Sequence, residues 1–321
     1  MSKYMVRHCP ERTPLNTQSE AESGFVPLNR YVVDNGSTIG YFGDSVSDSR
    51  KSRVAFIPGI GSGVASVSDL ASRFSERGHE VIVIDTRLRL LKLGQLATMN
   101  YYGELVADAA QEHFGDNKEY VLAGFSFGGF VAQEVAVKHP EQVESLVLLN
   151  TLAAGVLLHP PTVTEMAKIL MFVATFSDET LRKHAASVFG DDPELLKLYD
   201  MNIDVSRFAG VLQSAAMVNE LLKTLIGQGP LARLSEINKP TLIIGGDKDR
   251  IAPLPNSLEL HKRISNSELE IIEGGGHMGP VTLVDQYERL MIGFFKRHKP
   301  IRDIKSPRKV KAIKVPQAAQ Q

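Results

Sequence analysis

Short apolar runs, each closed by a turn residue and separated by stretches with helical spacing, restrict the possible folds of this chain more than any other feature. Val54-Ala55-Phe56-Ile57 ends at Pro58-Gly59, Glu80 to Ile84 ends at Asp85, Tyr120 to Ala123 runs into Gly124, and Ser145 to Leu149 follows later. Runs this short, without polar alternation, suit strands buried on both faces. Between them, Ser68 to Arg77 places Leu70, Ala71 and Phe74 on one helical face and stops at Gly78. Further helices are expected from about Tyr102 to Phe114 and from near Gly129 to about His139. Strand and helix alternating at roughly 20- to 35-residue spacing predict a mostly parallel sheet with helices on both faces.

Two β-rich runs, Arg30 to Val33 and Ser37 to Tyr41, flank Asn35-Gly36, a pair that tolerates the positive φ of a tight hairpin. The hairpin adds an antiparallel edge to the sheet. The alternation then breaks: residues 158–229 carry only helical patterns, with Leu170, Phe172, Leu195, Leu212 and Leu221 at mixed spacings. Strand signals return at Thr241 to Ile244 and at Leu269 to Ile272. Tyr287, Leu290, Met291, Phe294 and Phe295 then mark a closing amphipathic helix. The expected organisation is a flexible leader (1–25), an α/β core (26–157 and 230–298), a helical cap inserted at 158–229 and a basic disordered tail (299–321).

Hydrophobic residues make up 43% and charged residues 23% of 321, enough for one large core without a disulfide or a metal staple. The single cysteine, Cys9, cannot close an intrachain disulfide, which fits a reducing compartment. Met1 to Ser23 lack an apolar stretch of the secretory type, and no run approaches the length of a membrane span, so a cytoplasmic location is expected. From Lys296 onward nine Lys or Arg face Asp303 alone, a net +8 that leaves −9 on the remainder. Such a tail is suited to anionic surfaces, although no folded nucleic-acid-binding pattern accompanies it and no nucleic-acid partner is expected.

Gly124-Phe125-Ser126-Phe127-Gly128-Gly129 lies between an expected strand and an expected helix. A serine on such a sharp turn is held with its hydroxyl above the sheet edge, and the glycines leave room for the turn. The helix start behind it offers free N–H groups to developing negative charge. A serine hydroxyl near neutral pH needs a base. His113, His139, His184 and His298 read as surface or capping residues. His277 differs, because it follows Gly274-Gly275-Gly276 after the last strand, in a loop able to carry an imidazole over the sheet edge. A third, orienting acid belongs after the penultimate strand, where both Asp247 and Asp249 stand. Their spacing alone leaves the choice open.

The order Ser126, then an acid, then His277 resembles the α/β-hydrolase family, and the resemblance runs from about Arg30 to Lys296. It implies an eight-stranded, mostly parallel sheet with a helical cap after the sixth strand. The acid loop of that family has the form Gly-x-x-Asp-x-x-x-Pro, matched here by Gly246, Asp249 and Pro253. The resemblance therefore implies Asp249 as the orienting acid, with Asp247 in reserve. It also implies an oxyanion hole built from the N–H groups of Ile60 and Phe127. The cluster Pro58-Gly59-Ile60-Gly61-Ser62-Gly63 has neither the Lys-Ser/Thr of a nucleotide phosphate loop nor the third glycine of a dinucleotide loop. Two departures stand out: Pro58-Gly59 replaces a frequent His-Gly, and Asp85-Thr86-Arg87-Leu88 replaces a frequent Asp-x-Arg-Gly.

Serine rather than aspartate at the turn argues against the dehalogenase and epoxide hydrolase branches of that family. The implied activity is hydrolysis of a carboxylic ester through an acyl-serine, with a small or hydrophobic acyl substrate and neither cofactor nor metal. Phe125, Phe127, Met171, Phe172 and Phe176 are candidate walls of an apolar acyl pocket. Gly59-Ile60-Gly61, Thr151 to Gly155 and Asp191 to Leu195 resemble segments of intracellular polyhydroxyalkanoate depolymerases. A depolymerase-like or acyltransferase activity, or a homologue that only binds ligands, are the alternative readings.

Overall fold

The computed structural model describes residues 29–32, 38–41, 52–59, 65–85, 98–116, 118–153 and 230–298. The expected leader, cap and basic tail lie outside these residues, as do Ile60, Met171, Phe172, Phe176 and His184.

Eight strands among the described residues form one sheet: β1 (Asn29–Val32), β2 (Thr38–Tyr41), β3 (Arg53–Ile57), β4 (Glu80–Asp85), β5 (Tyr120–Phe125), β6 (Val143–Leu149), β7 (Thr241–Gly246) and β8 (Ser267–Ile272). Their spatial order is β1-β2-β4-β3-β5-β6-β7-β8. From β4 to β8 across the sheet every pairing is parallel, whereas β1–β2 and β2–β4 are antiparallel. The expected mostly parallel sheet with an antiparallel opening hairpin is what the chain forms. Val32 pairs with Thr38, the innermost pair of the two opening strands.

Helices cover both faces, and the two-residue period of the strands decides which side chain meets which helix. Ala55, Ile57, Ile82, Ile84, Leu122, Leu146, Leu148 and Ile243 face α2 (Met99–Phe114), α3 (Phe127–Lys138) and α4 (Pro255–Arg263). Their neighbours Val54, Phe56, Val83, Val121, Ala123, Phe125, Val147, Leu149, Leu242 and Ile244 face the opposite side. There α1 (Ala65–Glu76) and α6 (Val284–His298) supply Leu70, Phe74, Tyr287, Met291, Phe294 and Phe295. A single turn, α5 (Gly279–Thr282), precedes α6. Burial on both faces is why the strands read as continuous apolar runs rather than as alternating ones.

Several boundaries differ from the pattern-based expectation. The first helix starts three residues earlier, at Ala65, because Ser66 and Ser68 are buried there and the apolar face begins at Val67. The second starts at Met99, where the Thr98 hydroxyl accepts a hydrogen bond from the Tyr101 N–H at 3.1 Å. α4 was not anticipated; Pro255 at its first turn and His261, Lys262 and Arg263 in its last are the signals it carries. His113, expected at the surface, has only 6% of its side chain exposed, lying beside Glu80 and edge-on to Phe114. No helix among the described residues is long and apolar enough to cross a membrane.

Candidate active site

Parallel strands align their C-terminal ends on one edge of the sheet, and three of the expected residues come from that edge. β5 delivers Ser126, β7 runs into the Asp249 loop, and β8 runs through Gly274-Gly275-Gly276 into His277.

Ser126 holds φ 52° and ψ −117°, a region costly for any residue with a Cβ. The surrounding bonds impose it. The Ser126 N–H donates to Leu149 O at 3.0 Å, its carbonyl accepts from Gly129 N–H at 2.9 Å, and it also accepts the Thr151 hydroxyl at 2.7 Å. The turn closes so tightly that a Cβ on Gly124 would strike the Gly128 carbonyl, and one on Gly128 would strike that of Ile57. Strand β5 continues through Gly124 to Phe125, and α3 begins at Phe127, so no loop separates them. The expected helix start near Gly129 is thus two residues late. Compression to one residue is what turns the serine outward, and Ser126 is the part-exposed member of an otherwise buried turn.

The Ser126 Oγ lies 2.9 Å from His277 Nε2. On the other side of the ring, His277 Nδ1 lies 2.9 Å from Asp249 Oδ2 and 3.2 Å from Oδ1. The imidazole therefore bridges a hydroxyl and a carboxylate, the arrangement in which Nδ1–H donates to the acid and Nε2 is left to accept the serine proton. Phe125 packs on the ring at 5.3 Å between centroids. His277 is 9% and Asp249 5% exposed, so the pair sits beneath the surface with Ser126 toward solvent.

The carboxylate is itself held. Asp249 Oδ1 accepts the N–H groups of Ile251 (2.9 Å) and Ala252 (2.7 Å), and Oδ2 accepts Asn150 Nδ2 (3.2 Å). Three donors besides the imidazole fix the carboxylate in place. The choice left open by spacing is resolved by direction. Asp247 is exposed, pairs with Lys248 at 3.6 Å and accepts the Gly274 N–H at 2.7 Å, so it shapes the loop before His277 without touching the ring. Gly246 is required between the two loops, because a Cβ there would strike the Gly275 carbonyl.

Of the two expected oxyanion donors, Phe127 occupies the first position of α3, where its N–H belongs to an open helix start; Ile60 lies outside the described residues. Phe125 and Phe127 are both buried, with Phe127 edge-on to Tyr102 at 5.2 Å. Sequence reasoning gave the segment following β6 no role in holding the serine turn or the acid. Asn150 contacts Asp249 and Gly276, Thr151 holds the Ser126 carbonyl, and Leu152 O accepts Gln133 Nε2 at 2.9 Å. The one available signal was an asparagine directly after a buried strand, a residue type suited to positive φ.

The chain is similar to known proteins in sequence and in fold. The family described as serine aminopeptidase, S33, is matched over residues 48–279. The 2-hydroxy-6-oxononadienedioate/2-hydroxy-6-oxononatrienedioate hydrolase of Klebsiella pneumoniae subsp. pneumoniae is 26% identical over 285 residues, 83% of this chain and 94% of its own length. A poly(3-hydroxyalkanoate) depolymerase of Ectopseudomonas oleovorans is 28% identical over 188 residues, 56% of this chain and 61% of the depolymerase. Coverage of the relatives is uneven: polyketide synthase ThaQ of Burkholderia thailandensis matches 76% of this chain, which spans 12% of the synthase. Among solved structures, the 2-hydroxy-6-oxo-6-phenylhexa-2,4-dienoate hydrolase of Rhodococcus sp. strain RHA1 shares the fold. Its TM-score is 0.67 at 22% identity, covering 84% of this chain and 99% of that one. A matched segment of this length, on a sheet of this topology, means that the chain belongs to the serine aminopeptidase S33 family of α/β-hydrolases.

Proposed function

We propose that this hydrolase cleaves carboxylic esters through an acyl-serine intermediate, with Ser126 as nucleophile, His277 as general base and acid, and Asp249 as the group that orients and charges the imidazole. The observation that carries the reading is the unbroken line from Ser126 Oγ to His277 Nε2 and from His277 Nδ1 to Asp249, each link 2.9 Å. In the proposed first step Ser126 Oγ bonds to the ester carbonyl carbon while its proton passes to Nε2. The oxyanion is held by the Phe127 N–H and, as the family resemblance implies, by that of Ile60. Each such donor is typically worth about 3 kcal/mol in the transition state. Collapse of the tetrahedral species expels the alcohol, which leaves with the proton from His277. Water, deprotonated by the same nitrogen, then releases the acid and restores Ser126.

A fluorophosphonate probe tests the chemistry before any substrate is known. Labelling of the wild-type protein at Ser126, lost in Ser126→Ala, is the expected result. An unlabelled wild type, or a Ser126→Ala variant that labels equally, sinks it. 4-Nitrophenyl esters of increasing acyl length then read the acyl pocket, and a strong preference for acetyl would argue against a hydrophobic acyl substrate.

A second reading draws on the Klebsiella relative, whose match covers nearly its whole length. In that reading the carbonyl under attack is the 6-oxo group of a 2-hydroxy-6-oxo dienoic acid. Turnover of such a compound, with 4-nitrophenyl esters hydrolysed only slowly, would select it over the first. The depolymerase relative keeps a polyester chain within the same ester chemistry.

A further inference from the structure

Asn150 is the residue immediately beyond β6 and has φ 44°, a left-handed backbone that asparagine tolerates better than most residues. It is 1% exposed, and its side-chain amide is fully used. Nδ2 donates to Asp249 Oδ2 at 3.2 Å and to the Gly276 carbonyl at 2.9 Å, while Oδ1 accepts the Tyr287 hydroxyl at 2.5 Å. Its backbone N–H donates to Ile244 O at 2.9 Å, so the residue hangs from the end of β7.

Chemistry decides which way this amide faces. Tyr287 is fully buried on α6, and burial, with the Asp249 charge nearby, pushes its phenol well above the usual range. It stays protonated and donates its one hydrogen. The amide oxygen must face it, and the NH2 group must face the carboxylate. On Asp249, Oδ1 is occupied by two backbone N–H groups, so Asn150 is the partner that shares Oδ2 with the imidazole.

We propose that Asn150 is a positioning residue of the hydrolytic centre. It draws charge from the Asp249 oxygen that faces His277 and pins the His277 loop through Gly276, while Tyr287 sets the orientation of its amide. The proposal rests on Ser126, His277 and Asp249 being the reacting line. The base must be neutral to act. Withdrawing a donor from Asp249 leaves more negative charge on the carboxylate beside the imidazole, favours imidazolium and moves the rise of activity to higher pH. A carboxylate in place of the amide moves it further.

The rate of fluorophosphonate inactivation against pH reads this titration without a substrate. Asn150→Gly keeps the positive φ and removes the amide; it should shift the acid limb up by about half a pH unit and slow the plateau rate about tenfold. Asn150→Asp should shift the limb by about one unit or more. Tyr287→Phe removes only the orienting hydroxyl and should produce a smaller shift in the same direction, with a plateau loss of about threefold. Thermal unfolding of each variant gives the folded fraction used to normalise rates. Limbs that stay in place or move down in all three variants overturn the proposal, as does a rate loss that disappears on normalisation. Should both Asn150 variants fail to fold, Tyr287→Phe decides alone, a limb at the wild-type position overturning the proposal and an upward shift supporting it. A wild type unlabelled at Ser126 is a separate outcome, visible before any variant is made, and takes the serine reading and this one down together.

Discussion

Ser126 is held in an unfavourable backbone conformation by neighbours too close to admit side chains, so the turn should be least tolerant where those neighbours are backbone. Gly128→Ala would drive a methyl group into the Ile57 carbonyl, and neither partner has a flexible end that can swing away. A loss of stability of about 2–4 kcal/mol is expected in chemical denaturation, with labelling of Ser126 falling alongside it. The two acids of the β7 loop should separate cleanly. Asp249→Asn leaves an amide where His277 Nδ1–H needs an acceptor, and kcat/KM for an aryl ester should fall roughly 10³- to 10⁴-fold. Asp247→Asn keeps an oxygen for the Gly274 N–H and should stay within about threefold of wild type. Equal losses in the two variants would contradict the geometry. At this scale the sequence revealed the serine turn and the histidine, because glycines and a buried strand advertise each locally. It could not choose between Asp247 and Asp249, which differ in the direction a side chain points rather than in neighbourhood. Asn150 and Tyr287 stayed hidden for a different reason: they lie 137 residues apart and make their bond only through the folded sheet.

Helix and strand ends carry the second set of consequences. Thr98 caps α2, whose inward face includes Tyr102, Leu105, Val106 and Ala109. Thr98→Ala should cost about 1 kcal/mol in denaturant titration without altering the pH profile of labelling, since the helix packs away from the imidazole. The other end of the fold is pinned by Glu268 on β8, which binds Arg297 and His298 from the last turn of α6. Hydrogen bonding from Arg297 holds the Glu268 carboxyl below its usual 4.5, against a smaller opposing effect of burial. A lowered carboxylate pKa contributes stability that is present above the unfolded value and fades as pH falls through the folded one. The pair is largely solvent-exposed, so Glu268→Gln should cost under about 1 kcal/mol at pH 7 and nothing in strong acid. A cost that persists at pH 2–3 would assign the residue a packing role instead. Element type was readable for every long apolar run, but ends were not. The helix starts at Ala65, Met99 and Phe127 depend on a cap, on buried serines and on a turn of one residue, none of which hydrophobic periodicity reports.

Across the whole molecule, stability should fall from the middle of the sheet outward. β5 is buried along its entire length between β3 and β6, whereas β8 is only half-buried over most of its length and ends beside the exposed Ile271. Hydrogen exchange should be slowest in β3, β5, β6 and β7 and faster by orders of magnitude in β1 and β8; similar protection across all eight strands would show that the sheet opens only as a unit. The layered α/β architecture was legible because strands buried on both faces leave an unmistakable run of apolar residues. The spatial order, in which β4 precedes β3, was beyond a reading of patterns, since strand neighbours are chosen by packing between distant segments.

The bond between Tyr287 and Asn150 also carries a consequence for biosynthesis. A chain emerging from the ribosome presents Ser126 first, yet its proposed proton acceptor follows 151 residues later, and the phenol bonded to Asn150 comes after that. Until the His277 loop follows, the nascent protein holds the serine turn without the imidazole that the proposed reaction needs. On that proposal, hydrolytic competence arrives with the last segments of the core, and a chain stalled before His277 should show no fluorophosphonate labelling at Ser126.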